Sequence, residues 1–173
     1  VTSNGPSAGI QVAIVYGSPS DADTMSKAGA ILERFGVSYE QVAISAHRAP
    51  RTLAEYVADL PSRGVSVVIA GAGLAAALPG SVAAMTTLPV IGVPIKGGAL
   101  DGLDSMFAIA QLPPGVPVAT VGLNNATNAA VLATQILALS NPELRAKLAA
   151  YKDDFEKAAA TGLAEMLEGG AVG

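Results

Sequence analysis

Short aliphatic and β-branched runs alternate along the chain with longer segments whose apolar positions recur every three or four residues. Glycine or proline stands at most of the changes between the two. Residues 10–16 form the first strand-like run, ending at Gly17. Ser20 and Asp21 then cap a helical pattern that puts Met25, Ala28, Ile31, Leu32 and Phe35 on one face, until Gly36 stops it. Residues 37–44 read as a second strand. Pro50 opens a helix through Leu53, Tyr56, Val57 and Leu60, closed by Gly64. Residues 65–70 are apolar except for Ser66, as expected for the centre of a parallel sheet buried on both faces. A small-residue helix within 72–85, a strand over 89–94, a helix over 100–109, a strand over 116–121 and a helix over 125–139 follow. A final helix from Asn141-Pro142 sets Leu144, Leu148, Tyr151, Phe155, Ala159, Leu163 and Met166 at helical spacing.

Five strands alternating with helices predict an α/β fold with a parallel, doubly wound sheet covered on both faces. The organisation expected is a loose tail or expression remnant over residues 1–9, one α/β domain over 10–140 and a C-terminal helical arm over 141–173. Two readings of the arm stand open: it packs one stripe on its own domain, or it reaches a neighbouring subunit. Nothing in residues 1–9 has the basic and apolar segments of a signal peptide, so a cytoplasmic address is the default.

Composition narrows the chemistry. Ten basic against 14 acidic residues leave a net charge of −4, which argues against nucleic acid or an anionic membrane as partner. The chain has no cysteine and one histidine, so thiol nucleophiles, disulfides and zinc sites of the usual kind are excluded, and neither a metal nor a cofactor is expected. Charged residues are 14% of the chain, against roughly 25% in a typical domain. Residues 64–95 and 105–142 contain none. Prolines at 79, 89, 94, 113, 114 and 117 interrupt both tracts, so neither offers the run of about 20 apolar residues that a membrane span needs. The neutral tracts instead suggest burial against further copies of the chain.

The single histidine, His47, lies in Ser45-Ala46-His47-Arg48-Ala49-Pro50, directly after a strand and before a helix. Proton transfer near neutral pH falls mainly to that ring, and Arg48 beside it is a permanent cation suited to phosphate. Gly17-Ser18-Pro19-Ser20-Asp21 follows another strand; its backbone N–H groups and two hydroxyls could cradle a phosphate, with Asp21 on the hydroxyls of an attached sugar. The same residues could simply cap the helix. Both loops follow strands and so should emerge on one edge of a parallel sheet. The segment Gly71-Ala72-Gly73, continuing to Gly80, is small enough for close backbone approach to a ligand or for tight packing between subunits. Residues 96–105 hold the only charges between the neutral tracts and read as a flap over a site, an ion-paired rim or a solvated loop.

Taken in order, Gly17-Ser-Pro-Ser-Asp21, Ser45-Ala-His-Arg48, Gly71-Ala-Gly73 with Leu78-Pro-Gly80, residues 88–94, 99–105 and 113–121 resemble the class I carboxyaminoimidazole ribonucleotide mutase family. The resemblance covers roughly residues 10–140. It implies a flavodoxin-like three-layer α/β/α sandwich assembled as a homo-octamer, with sites at subunit boundaries. It also implies an enzyme of purine biosynthesis that moves a carboxylate from the exocyclic amine of a ribonucleotide to its imidazole ring carbon, by decarboxylation and recarboxylation, without ATP, metal or biotin. In that scheme His47 is the acid and base. Ser18, Ser20 and Arg48 hold the phosphate, Asp21 the ribose, and Ser45 and Ala46 line the base, while Gly71, Ala72 and Gly73 form the carbon dioxide pocket. The chain departs from the family pattern at Ala77, where a second histidine is usual, and in a shorter loop over residues 122–128. Two other readings remain: a divergent paralogue that carboxylates or decarboxylates a related ribonucleotide, and a nucleotide-binding oligomer without catalysis.

Overall fold

The computed structural model describes residues 2–4 and 9–169. Its centre is a sheet of β1 (Thr2–Asn4), β2 (Val12–Tyr16), β3 (Tyr39–Ala43), β4 (Val67–Gly73), β5 (Val90–Ile95) and β6 (Ala119–Thr120), in the order β1-β3-β2-β4-β5-β6. The last five strands in sequence are parallel, as expected. β1 is a correction to the loose tail: Thr2 pairs antiparallel with Gln41 and Asn4 with Tyr39. Without it the backbone of β3 would present an unpaired edge. The rest of the expected tail, residues 1 and 5–8, lies outside the described residues.

The helices are α1 (Ala22–Phe35), α2 (Pro50–Asp59), α3 (Ala77–Met85), α4 (Leu103–Ala110), α5 (Ala126–Ala138) and α6 (Pro142–Gly169). Alternation along the strands sorts the core into two halves. Val12, Ile14, Val67, Ile69, Ile91 and Val93 pack against α1, α5 and the start of α6. Ala13, Val15, Val68, Ala70 and Val90 face α2, α3 and α4. The result is the three-layer sandwich that the pattern predicts.

Two strands differ most in extent from the sequence expectation. The strand over 116–121 shrinks to Ala119–Thr120, because Pro117 has no N–H to donate and β6 borders the sheet's edge, with only Val121 N to Gly92 O extending the pairing. The strand over 65–70 instead lengthens to Gly73, which carries the small-residue segment onto the sheet's rim. α6 begins in the core: Leu144 and Leu148 are buried, and Tyr151 packs edge-on against Phe35 with ring centroids 5.2 Å apart. Arg34 sits over the Tyr151 ring and pairs with Asp154 at 3.3 Å. Further along, Phe155 and Leu163 are about 60% exposed, while the side chain of Met166 lies outside the described residues.

Candidate active site

Four parallel strands deliver loops to one edge of the sheet, where their C-terminal ends open a cleft of about 560 Å³. From β3 come Ser45, Ala46, His47 and Arg48; from β2, Gly17, Ser18, Ser20 and Asp21; from β4, Ala72 through Leu78; and from β5, Ile95 through Gly98. Every residue expected at the site lines this cleft except Gly71. That glycine is buried within β4, and a Cβ there would collide with Met25 Sδ and crowd Ile95, on the face that packs against α1. Alternation along the strand turns it into the core and Ala72 the other way. Its smallness admits Met25 rather than a ligand.

The first loop is tightly self-bonded. Ser18 Oγ accepts from Ser20 N at 3.4 Å and from Ser20 Oγ at 2.9 Å, while Ser18 N donates to Asp21 Oδ2 at 3.1 Å. Asp21 N donates to Ser18 O, and Gly17 N to Gly71 O. The capping role is therefore real, and the expected cradle of backbone N–H groups is corrected: those donors are already used. What the loop still offers is the Ser18 hydroxyl hydrogen, since that oxygen only accepts within the loop. Burial pushes the Asp21 carboxyl above its ordinary range, against the hydrogen bonds from Ser18 N and the Ser20 side chain, which pull it down.

The second loop turns on Ser45, which takes Arg48 N on its hydroxyl at 3.3 Å and Ala49 N on its carbonyl at 2.9 Å before Pro50 starts α2. The turn exposes His47 to the cleft. Arg48 reaches across to donate from Nη2 to Gly17 O at 3.3 Å, so its guanidinium stands beside the serines of the first loop. An anion at Ser18 and Ser20 would meet that guanidinium.

The third wall is made of small apolar residues. Gly73 is close-packed on β5, where a Cβ would lie 3.1 Å from Ile95 O. Leu74 then takes a left-handed φ of 56° and the chain turns sharply into α3. Ala77, the position where the resembling family has a histidine, is the first residue of α3 and lines the cleft. The fourth wall contributes Lys96, which was not among the expected site residues. Its Nζ pairs with Asp101 Oδ2 at 3.0 Å, so the ion-paired rim is the reading of residues 96–105 that the structure bears out. The available signal was its position, the first charge after 32 neutral residues, 64–95.

Comparison with known proteins places this geometry. The model of the family described as AIR carboxylase matches residues 11–158. The chain belongs to that family. It is 53% identical over 147 residues to the N5-carboxyaminoimidazole ribonucleotide mutase of Pyrococcus abyssi, covering 85% of this chain and 84% of that protein. It is 52% identical to the mutase of Thermotoga maritima, again over 147 residues, covering 85% and 86%. It is also 52% identical over 146 residues to the phosphoribosylaminoimidazole carboxylase of Schizosaccharomyces pombe, matching 84% of this chain but 26% of that longer protein. The crystal structure of Treponema denticola PurE superposes with a TM-score of 0.83 at 25% identity, covering 90% of this chain and 97% of that one.

Proposed function

We propose that this AIR carboxylase family member is an N5-carboxyaminoimidazole ribonucleotide mutase of purine biosynthesis, working in the cytoplasm. The observation that carries the reading is one cleft uniting a phosphate-suited corner, a lone imidazole and a dry wall, in a chain whose 53% identity to a mutase spans 84% of that protein. Arg48 and the Ser18 hydroxyl hold the phosphate, with Ser20 orienting Ser18 through the bond to its Oγ, while Asp21 takes the ribose hydroxyls and Ser45 and Ala46 border the base. A cleft of about 560 Å³ falls within the range of small-ligand sites.

The reaction asks for two proton movements. Cleavage of the N–carboxylate bond releases carbon dioxide and leaves an electron pair on the exocyclic nitrogen, which takes a proton from the His47 imidazolium. The ring carbon then attacks carbon dioxide, and the neutral imidazole removes that carbon's proton, which restores the imidazolium. One ring therefore serves both steps, and no proton is gained or lost overall. Ala72, Gly73, Ala75 and Ala76 give carbon dioxide an apolar wall and keep water from the reactive intermediate. Leu139 is 78% exposed, Leu100 60% and Phe107 51%, which supports a homo-oligomer, read here as an octamer, with the outer half of α6 as a contact arm.

The test is to add freshly prepared carboxyaminoimidazole ribonucleotide and follow the ring-carboxylated product by absorbance. Wild-type protein should turn over, and His47→Asn should lose roughly 10²–10⁴-fold in rate while still binding nucleotide. Binding without turnover in the wild type would leave a nucleotide-binding oligomer. A second reading, a paralogue acting on a related ribonucleotide, is favoured by Ala77, which leaves His47 as the cleft's only imidazole. It predicts no product from this substrate but carboxylation or decarboxylation of a close analogue.

A further inference from the structure

Building on that reading, we propose that Lys96 is the residue that recognises the substrate's carboxylate, exchanging its pairing with Asp101 for the carboxylate when the nucleotide binds. The ligand carries two anionic ends, a phosphate and a carboxylate, and the cleft has two basic side chains, Arg48 and Lys96. They stand on opposite sides. Arg48 leaves the loop after β3 and bonds Gly17 O at the end of β2, whereas Lys96 leaves β5, on the far side of β4. Two strand spacings separate β2 from β5, roughly 10 Å, a distance suited to a ligand with a phosphate at one end and a substituted ring at the other.

The backbone around Lys96 is held by hydrogen bonds, while its side chain is held through an exposed ion pair. Lys96 N donates to Asn124 Oδ1 at 2.8 Å, and Asn124 N donates to Pro94 O at 2.8 Å. Asn124 adopts a φ of 56°, Asp101 one of 54°, and both Gly98 and Gly102 are left-handed. Three left-handed positions within five residues, one of them not glycine, specify a loop shape that sets Asp101 opposite Lys96. Leu74, itself at a φ of 56°, packs against Gly98, so this loop and the apolar wall of the cleft are in contact. The lysine side chain is 53% exposed and the Asp101 side chain 73%. An exposed pair of this kind contributes little and is readily traded, since Asp101 stays solvated when released. Lys96 acts by charge alone, stabilising the carboxylate as it forms on the ring carbon.

The experiment measures the affinity of wild type, Lys96→Met, Lys96→Arg and Asp101→Asn for aminoimidazole ribonucleotide and for its ring-carboxylated form by calorimetry. Lys96→Met should lose tenfold or more for the carboxylated nucleotide and less than twofold for the uncarboxylated one, whose retained binding also shows that the variant is folded. Lys96→Arg should recover most of the loss. Asp101→Asn should bind the carboxylated nucleotide a few-fold more tightly, having lost the competing anion. Equal losses for both nucleotides in Lys96→Met, or none, overturn the recognition. Unchanged or weaker binding in Asp101→Asn overturns the exchange. Wild-type protein that binds neither nucleotide overturns the functional reading itself, and this inference with it.

Discussion

Asp21 carries two demands that pull against each other. As a cap it must accept Ser18 N, and as a ribose partner it must stand half-buried beside the cleft, where desolvation raises its pKa above the ordinary 3.8. A carboxyl whose folded pKa is raised stabilises the fold below its unfolded pKa and loses that contribution as pH rises through the folded value. The ligand-free protein therefore bears the cost at neutral pH. Asp21→Asn keeps an oxygen for Ser18 N and removes the buried charge, so its melting temperature should match wild type near pH 3 and exceed it at pH 7. Nucleotide affinity should fall about tenfold, the worth of a hydrogen bond to a charged group. Melting curves at the two pH values and one titration check both halves. The identities of Ser18, Ser20, Asp21, His47 and Arg48 were legible because polar residues after apolar runs are informative. The occupancy of their donors was not. That Ser18 and Asp21 spend the loop's N–H groups on each other depends on a turn geometry that residue types do not dictate, and Gly71 shows the same limit, since a glycine in a strand reads alike whether it admits a ligand or Met25.

Between elements, β3 and α2 bracket the loop that carries His47, and a buried polar cluster fastens them. Glu40 on β3 is 2% exposed; it accepts from the Tyr56 hydroxyl at 2.6 Å and from Arg63 Nη1 at 2.6 Å. Arg63 lies over the Tyr56 ring, and its Nε is 2.9 Å from Asp59 Oδ2 without hydrogen-bonding alignment. Burial and the neighbouring carboxylate push the Tyr56 phenol far above its usual range. Tyr56→Phe removes one of Glu40's two partners and should cost about 1–3 kcal/mol, the penalty of leaving a buried acceptor unpaired, read from denaturant unfolding. The sequence marks Tyr56 as one more apolar-face position of a helix. Its hydroxyl finds a purpose only because β3 runs beside that helix. Residues 96–105 kept three readings open for a related reason: a lone lysine after a strand looks solvated until the adjacent strand ends place it on the same rim.

At the scale of the molecule, the two neutral tracts differ in how far the subunit itself buries them. Much of residues 64–95 is the subunit's own core, with Val67, Val68, Ile69, Ala70, Ile91 and Val93 inaccessible to solvent. Residues 105–142 keep apolar exposure at Phe107 and Leu139, which, with Leu100 and Phe155 outside the tracts, is what association would cover. Light scattering should give a mass of eight chains, and Leu139→Asp should lower it; a stable wild-type monomer would refute the assembly.

By itself the sequence determined the alternation of five parallel strands with helices, because burial on both faces of a sheet demands uninterrupted apolar runs and helices demand a periodic stripe. It also determined which side chains could do acid–base and phosphate chemistry, since a single imidazole and few cations leave little choice. Tertiary structure alone decided that the chain after β5 joins the cleft, that Gly71 belongs to the core, that β1 closes an edge, and that Lys96 faces the site. Each of these is a pairing across strands or helices far apart in the chain. Local pattern fixes what an element is and which face it buries, but the neighbour it meets follows from the packing of all the elements at once.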